Sequence, residues 1–127
     1  MAALIENLDP VMQDRVRQYE EDAAKLPFRS VLAETDRDYA KQHDCFKQGY
    51  SRCDGVKTLS MHQARLAFDQ VVLDAAGNRT WDYVKYAKEY RALADLATRH
   101  GFENGADWTP DPATKLGWDP PHHQLKA

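Results

Sequence analysis

The stretch 66-LAFDQVVLD-74 decides the fold, because it places an acidic residue inside an apolar, β-branched run. Residues such as Val71 and Val72 favour strands, and 75-AAGN-78 is typical of a turn. We therefore predict a central strand within residues 66–74. A carboxylate on such a strand loses much hydration free energy unless it is paired or binds a metal ion. Asp69 is therefore the first candidate site residue.

Patterns on the N-terminal side of this strand predict a helix, a strand and a second helix. Asp9 can cap a helix that begins at Pro10, after which apolar residues recur at three- and four-residue steps. Residues 28–33 are partly β-branched and predict a short strand. Residues 38–48 predict the second helix, because Gly49 follows directly as a stop signal.

The C-terminal half predicts the longest helix and two further strands. The helix is expected from about residue 81 to residue 100, with Gly101 as its stop, and residues 102–127 are broken by prolines and glycines. Helices and strands mix without a regular βαβ order, which favours an α+β fold with a small, largely antiparallel sheet flanked by about three helices. A chain of 127 residues with 43% hydrophobic content is expected to form a single domain, 1–127.

Composition excludes several classes of protein. A net charge of −3 without a block of lysines and arginines argues against a nucleic-acid binder. No apolar run reaches the roughly 18 to 20 residues that span a bilayer. The first residues are acidic where a signal peptide is basic, so we expect the protein to stay in the cytoplasm until another factor releases it. Cys45 and Cys53 lack a C-x-x-C pattern, which argues against a thiolate zinc cluster.

Histidines before the central strand and near the C-terminus suggest a metal site. His62 precedes the strand that carries Asp69, and 118-WDPPHHQLKA-127 contains His122 and His123. Imidazole and carboxylate groups are good zinc ligands, and a catalytic zinc ion keeps three protein ligands and one open position. His62, Asp69 and one histidine of the terminal pair would form such a set. Only one of that pair can face the metal if residues 122–125 form a strand.

Four motifs in these segments resemble those of the M15 zinc peptidases. Ser60-x-His62 with Ala67-x-Asp69 is similar to the family's S-x-H-x-x-G-x-A-x-D, and 119-DPPH-122 is similar to its (D/E)-x-x-H. The segments 37-RDYAKQ-42, followed by Gly49, and 105-GADW-108 resemble R-S-x-x-x-Q…G and G-(G/A)-D-W. The resemblance covers residues 8 to 125, and it selects His122 over His123.

This resemblance implies roles for individual residues. His62, Asp69 and His122 would bind zinc, and Asp119 would transfer protons as the catalytic base. Substrate binding would fall to Arg37, Gln42 and Ser60. Arg37 would stabilise the developing oxyanion or hold a substrate carboxylate. The zinc cleft is expected to lie on the sheet.

Two further expectations concern the ends of this site. Pro120 and Pro121 are expected to form a stiff, extended connector between base and ligand, with His123 directed outward or behind the metal ligands. Arg65 stands where the motif has glycine, and it would reduce stability if this position requires positive φ.

The family resemblance implies a zinc-dependent hydrolase of bacterial peptidoglycan. We expect an L-alanyl-D-glutamate endopeptidase that cuts the peptide stem and acts, as a monomer, as the endolysin of a phage or prophage. It would remain in the host cytoplasm until a holin gave it access to the periplasm and cell wall. The alternatives are a D-Ala-D-Ala carboxypeptidase or dipeptidase and, in another class, a catalytically silent zinc-stabilised binding domain.

Overall fold

The computed structural model describes residues 4–35, 47 and 65–126. The elements in these ranges are α1 (Pro10–Ala23), β1 (Ser30–Glu34), β2 (Ala67–Val72), α2 (Ala87–Arg99), β3 (Phe102–Asn104) and β4 (His122–Leu125), with short 3₁₀ helices at Ile5–Asn7 and Gly105–Asp107. The helix predicted over residues 38–48 falls outside the described residues, except at the exposed Lys47. No helix in the described ranges is long and apolar enough to cross a membrane.

The four strands form one antiparallel sheet in the order β1-β2-β4-β3. The predicted α+β fold and its antiparallel sheet are confirmed, and β2 is central as expected. A β-bulge interrupts β1, where Leu32 pairs with Gln70 but Glu34 pairs with Asp69. The extra residue between them bends the edge strand beside Asp69.

Helix α1 forms where the capping pattern predicts it. The side chain of Asp9 accepts a hydrogen bond from the Val11 N–H at 3.0 Å, and Pro10 occupies the first helical position. The cap satisfies a backbone donor that the helix leaves unpaired, and the proline has no such donor to lose. The buried side chains of α1 are Met12, Val16, Tyr19 and Ala23.

Helix α2 begins later than predicted, at Ala87 instead of residue 81. The carboxylate of Asp82 accepts hydrogen bonds from the backbone N–H groups of Val84 and Lys85, at 3.2 and 3.0 Å. Aspartate at such a position stabilises a turn in competition with the helix. Within the described residues α2 is therefore not the longest helix, since it has 13 residues and α1 has 14. Gly101 ends it as predicted, with φ of 89°.

Both helices pack on one face of the sheet, which we call the core face. The sheet contributes Phe68, Val72 and Phe102 to this core. The helices cover them with Met12, Val16, Tyr19, Tyr90, Leu93, Ala94 and Ala97. Because side chains alternate along a strand, Asp69 and His122 lie on the opposite face, which we call the site face.

Candidate metal centre and active site

The register between β2 and β4 brings two predicted metal ligands together on the site face. Asp69 pairs directly with His122, and Asp69 Oδ1 lies 3.5 Å from His122 Nδ1. Asp119 Oδ2 lies 3.8 Å from the same nitrogen. Three residues that the sequence analysis selected from two distant segments therefore converge on one point.

The separation of Asp69 and His122 fits a shared zinc ion. Two ligands at zinc bond lengths of about 2.0–2.1 Å and a tetrahedral angle lie about 3.4 Å apart, close to the observed 3.5 Å. The His122 side chain is 6% exposed, whereas that of Asp119 is 27% exposed. A metal held at Nδ1 would therefore be accessible from the side of Asp119.

The remaining predicted site residues lie outside the described ranges. These residues are His62, Ser60, Arg37 and Gln42. The described residues by themselves hold no complete cluster of three metal-ligating side chains. Asp69 and His122 supply two donors, and the third ligand and the substrate contacts remain predictions from the sequence.

A tight turn places Asp119 beside His122. The His122 N–H donates to the Asp119 carbonyl at 3.1 Å, and the Gln70 N–H donates to the Pro121 carbonyl at 3.0 Å. The expectation of an extended Pro-Pro connector is therefore wrong. The two prolines occupy the centre of a hydrogen-bonded turn, a position that suits residues with restricted φ angles. The turn brings the predicted base, Asp119, and the predicted ligand, His122, to one side, three residues apart.

Two glycines allow close backbone contacts around the segment that carries Asp119. A Cβ atom at Gly105 would lie 2.0 Å from the Asp119 carbonyl oxygen and 2.8 Å from its Cβ. A Cβ atom at Gly117 would lie 2.2 Å from the Gly105 carbonyl oxygen. Contacts this short leave no room for any side chain. The glycine of 105-GADW-108 thus supports the segment that carries Asp119, the predicted catalytic base.

Aromatic rings form one wall of the site. The Trp108 ring centroid lies 5.1 Å from that of His122 and 5.0 Å from that of Trp118. Trp118 is 39% exposed. No contact between these tryptophans and His122 was predicted. The available signal was their position, since Trp108 ends the G-A-D-W segment and Trp118 directly precedes the D-x-x-H segment.

Tyr83 also belongs to the surroundings of the site. Burial raises the pKa of Tyr83 well above its ordinary value, and the neighbouring Tyr90 and the charges of Asp119 and Asp69 raise it further. The segment that leads to Tyr83 is held beside β2 because the Thr80 N–H donates to the Val72 carbonyl at 2.9 Å. Tyr83 therefore remains a neutral hydroxyl group throughout the working pH range of a protein.

Asp69 and Asp119 control the protonation of His122. Burial lowers the pKa of His122, but the hydrogen bond and charge of Asp69, followed by Asp119 and Gln124, outweigh that effect and raise the pKa above its usual value. Two carboxylates around one imidazole form a negative environment. Such an environment attracts a cation, whether a proton or a metal ion.

A hydrogen bond partner of His122 escaped the sequence analysis. His122 Nε2 lies 2.8 Å from Gln124 Oε1, and the Gln124 amide donates to Glu103 Oε1. Gln124 lies two residues beyond His122 on the same face of β4. That spacing was the only signal available in the sequence.

His123 lies in the core, which is neither of its two expected positions, outward or behind the metal ligands. Its Nδ1 lies 2.6 Å from Asn104 Oδ1, and its Nε2 lies 3.3 Å from the Tyr19 hydroxyl. Burial lowers its pKa to about 3. The predicted strand over residues 122–125 is confirmed. Its alternation places His123 on the core face and His122 with the carboxylates.

Arg65 adopts the backbone conformation that favours glycine. Its φ is 62°, and its carbonyl accepts a hydrogen bond from the Asp9 N–H at 3.0 Å. The side chain is exposed. Arginine in place of the motif glycine is therefore accommodated by a strained backbone conformation at residue 65.

The sequence matches a known peptidase family. Residues 54–125 match the M15 family model described as D-alanyl-D-alanine carboxypeptidase. This match spans more than half of the chain, so the protein belongs to the M15 peptidases. The resemblance identified from its motifs is confirmed. No curated protein sequence matches the chain.

Solved structures share the fold. The chain is similar to the L-Ala D-Glu endopeptidase ChiX of Serratia marcescens, at 23% identity and a TM-score of 0.65, over 96% of this chain and 83% of that one. It is also similar to the D,D-pentapeptidase VanY of a VanB-type resistance cassette, solved with Zn(II), at 20% identity and a TM-score of 0.64, over 93% and 72% of the two chains. The LD-carboxypeptidase LdcB matches at 21% identity and a TM-score of 0.56, over 93% and 58%.

Proposed function

We propose that the protein is a zinc-dependent peptidoglycan hydrolase that cuts the peptide stem as an L-alanyl-D-glutamate endopeptidase. The observation that carries this proposal is the convergence of Asp69 Oδ1 and Asp119 Oδ2 on His122 Nδ1, at 3.5 and 3.8 Å. A structural zinc site has no use for an additional carboxylate beside its ligands, whereas a hydrolase needs a base there.

The proposed chemistry divides among residues of this chain. Asp69 and His122, together with His62, would hold the zinc ion. When bound, zinc lowers the pKa of a water molecule to roughly 7 and polarises a carbonyl group. Asp119 accepts the proton of the attacking water and transfers it to the leaving amine. Arg37 holds a substrate carboxylate or stabilises the developing oxyanion.

The relatives support the choice of substrate. ChiX is named as an L-Ala D-Glu endopeptidase, VanY as a D,D-pentapeptidase and LdcB as an LD-carboxypeptidase whose structure concerns peptidoglycan recognition. ChiX matches over the largest share of both chains among these three, and the proposal adopts its named activity.

The proposed biological role is that of a phage or prophage endolysin. In this role the protein would act as a monomer, remain in the host cytoplasm and reach the wall through a holin. Co-expression with and without a holin, followed by optical density, tests this role. Lysis that required both the holin and an intact Asp119 would support it. Lysis without a holin would contradict the proposed localisation.

Fragment analysis tests the proposed activity directly. Purified Gram-negative peptidoglycan is incubated with the protein, with and without a chelator, and the released fragments are identified by mass spectrometry. We expect new N-terminal D-Glu ends that require metal. Asp119→Ala should remove them without unfolding the protein, as checked by circular dichroism.

Other outcomes would select the alternative functions. Release of terminal D-Ala alone would identify a carboxypeptidase or dipeptidase. Zinc binding without any fragment release, under every divalent metal tested, would identify a silent binding domain. Zinc content that was equal in the wild type and in His122→Ala would contradict the proposed metal site.

A further inference from the structure

We propose that Gln124, oriented by Glu103, is a positioning residue that selects Nδ1 of His122 as the metal-binding nitrogen. This inference rests on the metal site of the proposed function. The relay runs from the Glu103 carboxylate through the Gln124 amide to His122 Nε2. Asp69 and Asp119 lie on the other side of the same imidazole ring.

The chemistry of the first hydrogen bond decides which nitrogen carries the proton. Gln124 Oε1 is an amide oxygen and can only accept, so His122 Nε2, at 2.8 Å, is the donor. A neutral imidazole has one N–H group, so its other nitrogen presents a lone pair. That nitrogen is Nδ1, which faces Asp69 Oδ1 at 3.5 Å. A metal ion needs this lone pair.

Glu103 prevents the opposite orientation of the Gln124 amide. The amide donates from Nε2 to Glu103 Oε1. If the amide were reversed, its oxygen would face the carboxylate, and two acceptors would meet without a proton between them. The reversed amide would also present N–H groups to His122 Nε2 and would favour the wrong tautomer. Glu103 therefore specifies the tautomer of His122 by orienting the Gln124 amide.

The sheet register holds the relay in place. Glu103 pairs with Gln124 across β3 and β4, and Gln124 pairs with Ala67 on the other side. His122 and Gln124 are two residues apart in β4 and share the site face. All three side chains of the relay therefore stand at paired positions of the sheet, two on β4 and one on the edge strand β3, where their directions are set by the backbone.

The neighbouring histidine shows that the protein can impose the opposite tautomer. His123 Nδ1 lies 2.6 Å from Asn104 Oδ1, again an acceptor, so this histidine carries its proton on Nδ1. The Tyr19 hydroxyl can then donate to Nε2 at 3.3 Å. In each case a side-chain amide oxygen selects the tautomer. The two histidines are consequently distinguishable by one spectroscopic measurement.

The test combines three variants with two measurements. Gln124→Leu removes the acceptor, and Glu103→Gln removes the group that orients the amide. The double variant Glu103→Gln/Gln124→Glu exchanges the two groups, so that a carboxylate accepts from His122 and an amide at position 103 supports it. Nitrogen-15 NMR under alkaline conditions reports the tautomer of each histidine in metal-free protein. Competition titration with a zinc chelator reports the dissociation constant for zinc.

We expect the wild type to show His122 protonated at Nε2 and His123 protonated at Nδ1. In Gln124→Leu the His122 signal should shift towards a mixture of tautomers, and the zinc dissociation constant should rise about 10- to 100-fold. Glu103→Gln should show a smaller change of the same kind. The exchanged double variant should recover the wild-type tautomer and most of the affinity. His123 should be unchanged throughout, which confirms that the sheet is intact.

Specific results would overturn the inference. Gln124→Leu with wild-type affinity for zinc and an unchanged His122 tautomer would show that the relay has no positioning role. Equal losses in Gln124→Leu and in the exchanged double variant would indicate packing instead of hydrogen bonding. A wild-type protein that bound no zinc would overturn the proposed function as well. The zinc affinity of the wild type thus separates the two failures.

Discussion

His122 and His123 are adjacent in β4, but they belong to opposite faces of the sheet. Both are buried, at 5% and 0% exposure. On the site face, Asp69 and Asp119 outweigh burial and raise the pKa of His122. On the core face, burial among aromatic rings lowers the pKa of His123 to about 3. Burial alone therefore does not determine whether a histidine can carry charge or bind a cation. Its neighbours do.

The core face also raises the pKa of an acidic residue. Burial raises the pKa of Glu20 to about 7, against a smaller opposing effect of its hydrogen bond with Gln70. Gln70 follows Asp69 in β2 and therefore points to the other face. The core face thus disfavours the charged forms of both Glu20 and His123. The site face concentrates charge around one imidazole.

The largest expected effect concerns Asp119, the proposed catalytic base on the site face. Asp119→Asn should lower the rate of stem-peptide hydrolysis by about 10²- to 10⁴-fold, because it removes proton transfer while it keeps the shape of the side chain. Zinc content, measured by elemental analysis, should remain that of the wild type. Asp95→Asn, at an exposed position of α2, is the control and should leave the rate unchanged. A fall of less than tenfold in Asp119→Asn would assign the base elsewhere.

The next prediction separates the two histidines. His122→Ala should abolish zinc binding. His123→Ala should leave zinc binding intact and lower the free energy of unfolding by about 2–4 kcal/mol, because it creates a cavity and leaves the Asn104 amide oxygen without its donor. Metal analysis and urea denaturation measure the two effects. Loss of zinc in folded His123→Ala would contradict the separation of the faces.

The pH dependence of stability tests the raised pKa of Glu20 on the core face. A group whose pKa is higher in the folded state stabilises the fold at low pH, and this contribution is lost as pH rises. For Glu20 the loss should occur as pH rises from about 4.5 to about 7. The upper limit of this contribution to the free energy of unfolding is about 3 kcal/mol.

Urea denaturation across this pH range should show that the free energy of unfolding of the wild type falls as pH rises. The slope of this fall should be smaller in Glu20→Gln. Glu21→Gln, at the exposed neighbouring position, serves as the control and should keep the wild-type slope. Equal slopes in the wild type and Glu20→Gln would show that the fold does not raise the pKa of Glu20.

The smallest expected effect concerns the backbone of Arg65. Arg65→Gly should raise the free energy of unfolding by up to about 1 kcal/mol, because glycine adopts positive φ without strain. Lys115 has the same φ of 62° and is also exposed, so Lys115→Gly is a matched control for the backbone effect. If only Arg65→Gly changed the hydrolysis rate, the arginine side chain would have a role at the site. Destabilisation by both variants would contradict the strain argument.

Local patterns predicted much of the fold. Asp9 and Pro10 predicted the start of α1, and the β-branched run around Asp69 predicted the central strand. The start of α2 was missed, because the competing hydrogen bonds of Asp82 do not alter the apolar spacing on which the prediction relied. The Pro-Pro turn was missed because proline restricts φ in turns and in extended chain alike.

The sequence by itself determined the residue types of the site and their order along the chain. Asp69 was selected by its place on an apolar strand, and Asp119 and His122 were selected by the resemblance of 119-DPPH-122 to the family's (D/E)-x-x-H. These signals are local, since each depends on strand alternation or on a short motif.

Only the tertiary structure decided how those groups are oriented. It placed His123 with Tyr19 and Asn104, and it connected Glu103 to His122 through Gln124. These contacts join residues from separate strands and helices. A tautomer or a pKa depends on the atoms surrounding the group, and those atoms are brought together only by the register and packing of the folded chain.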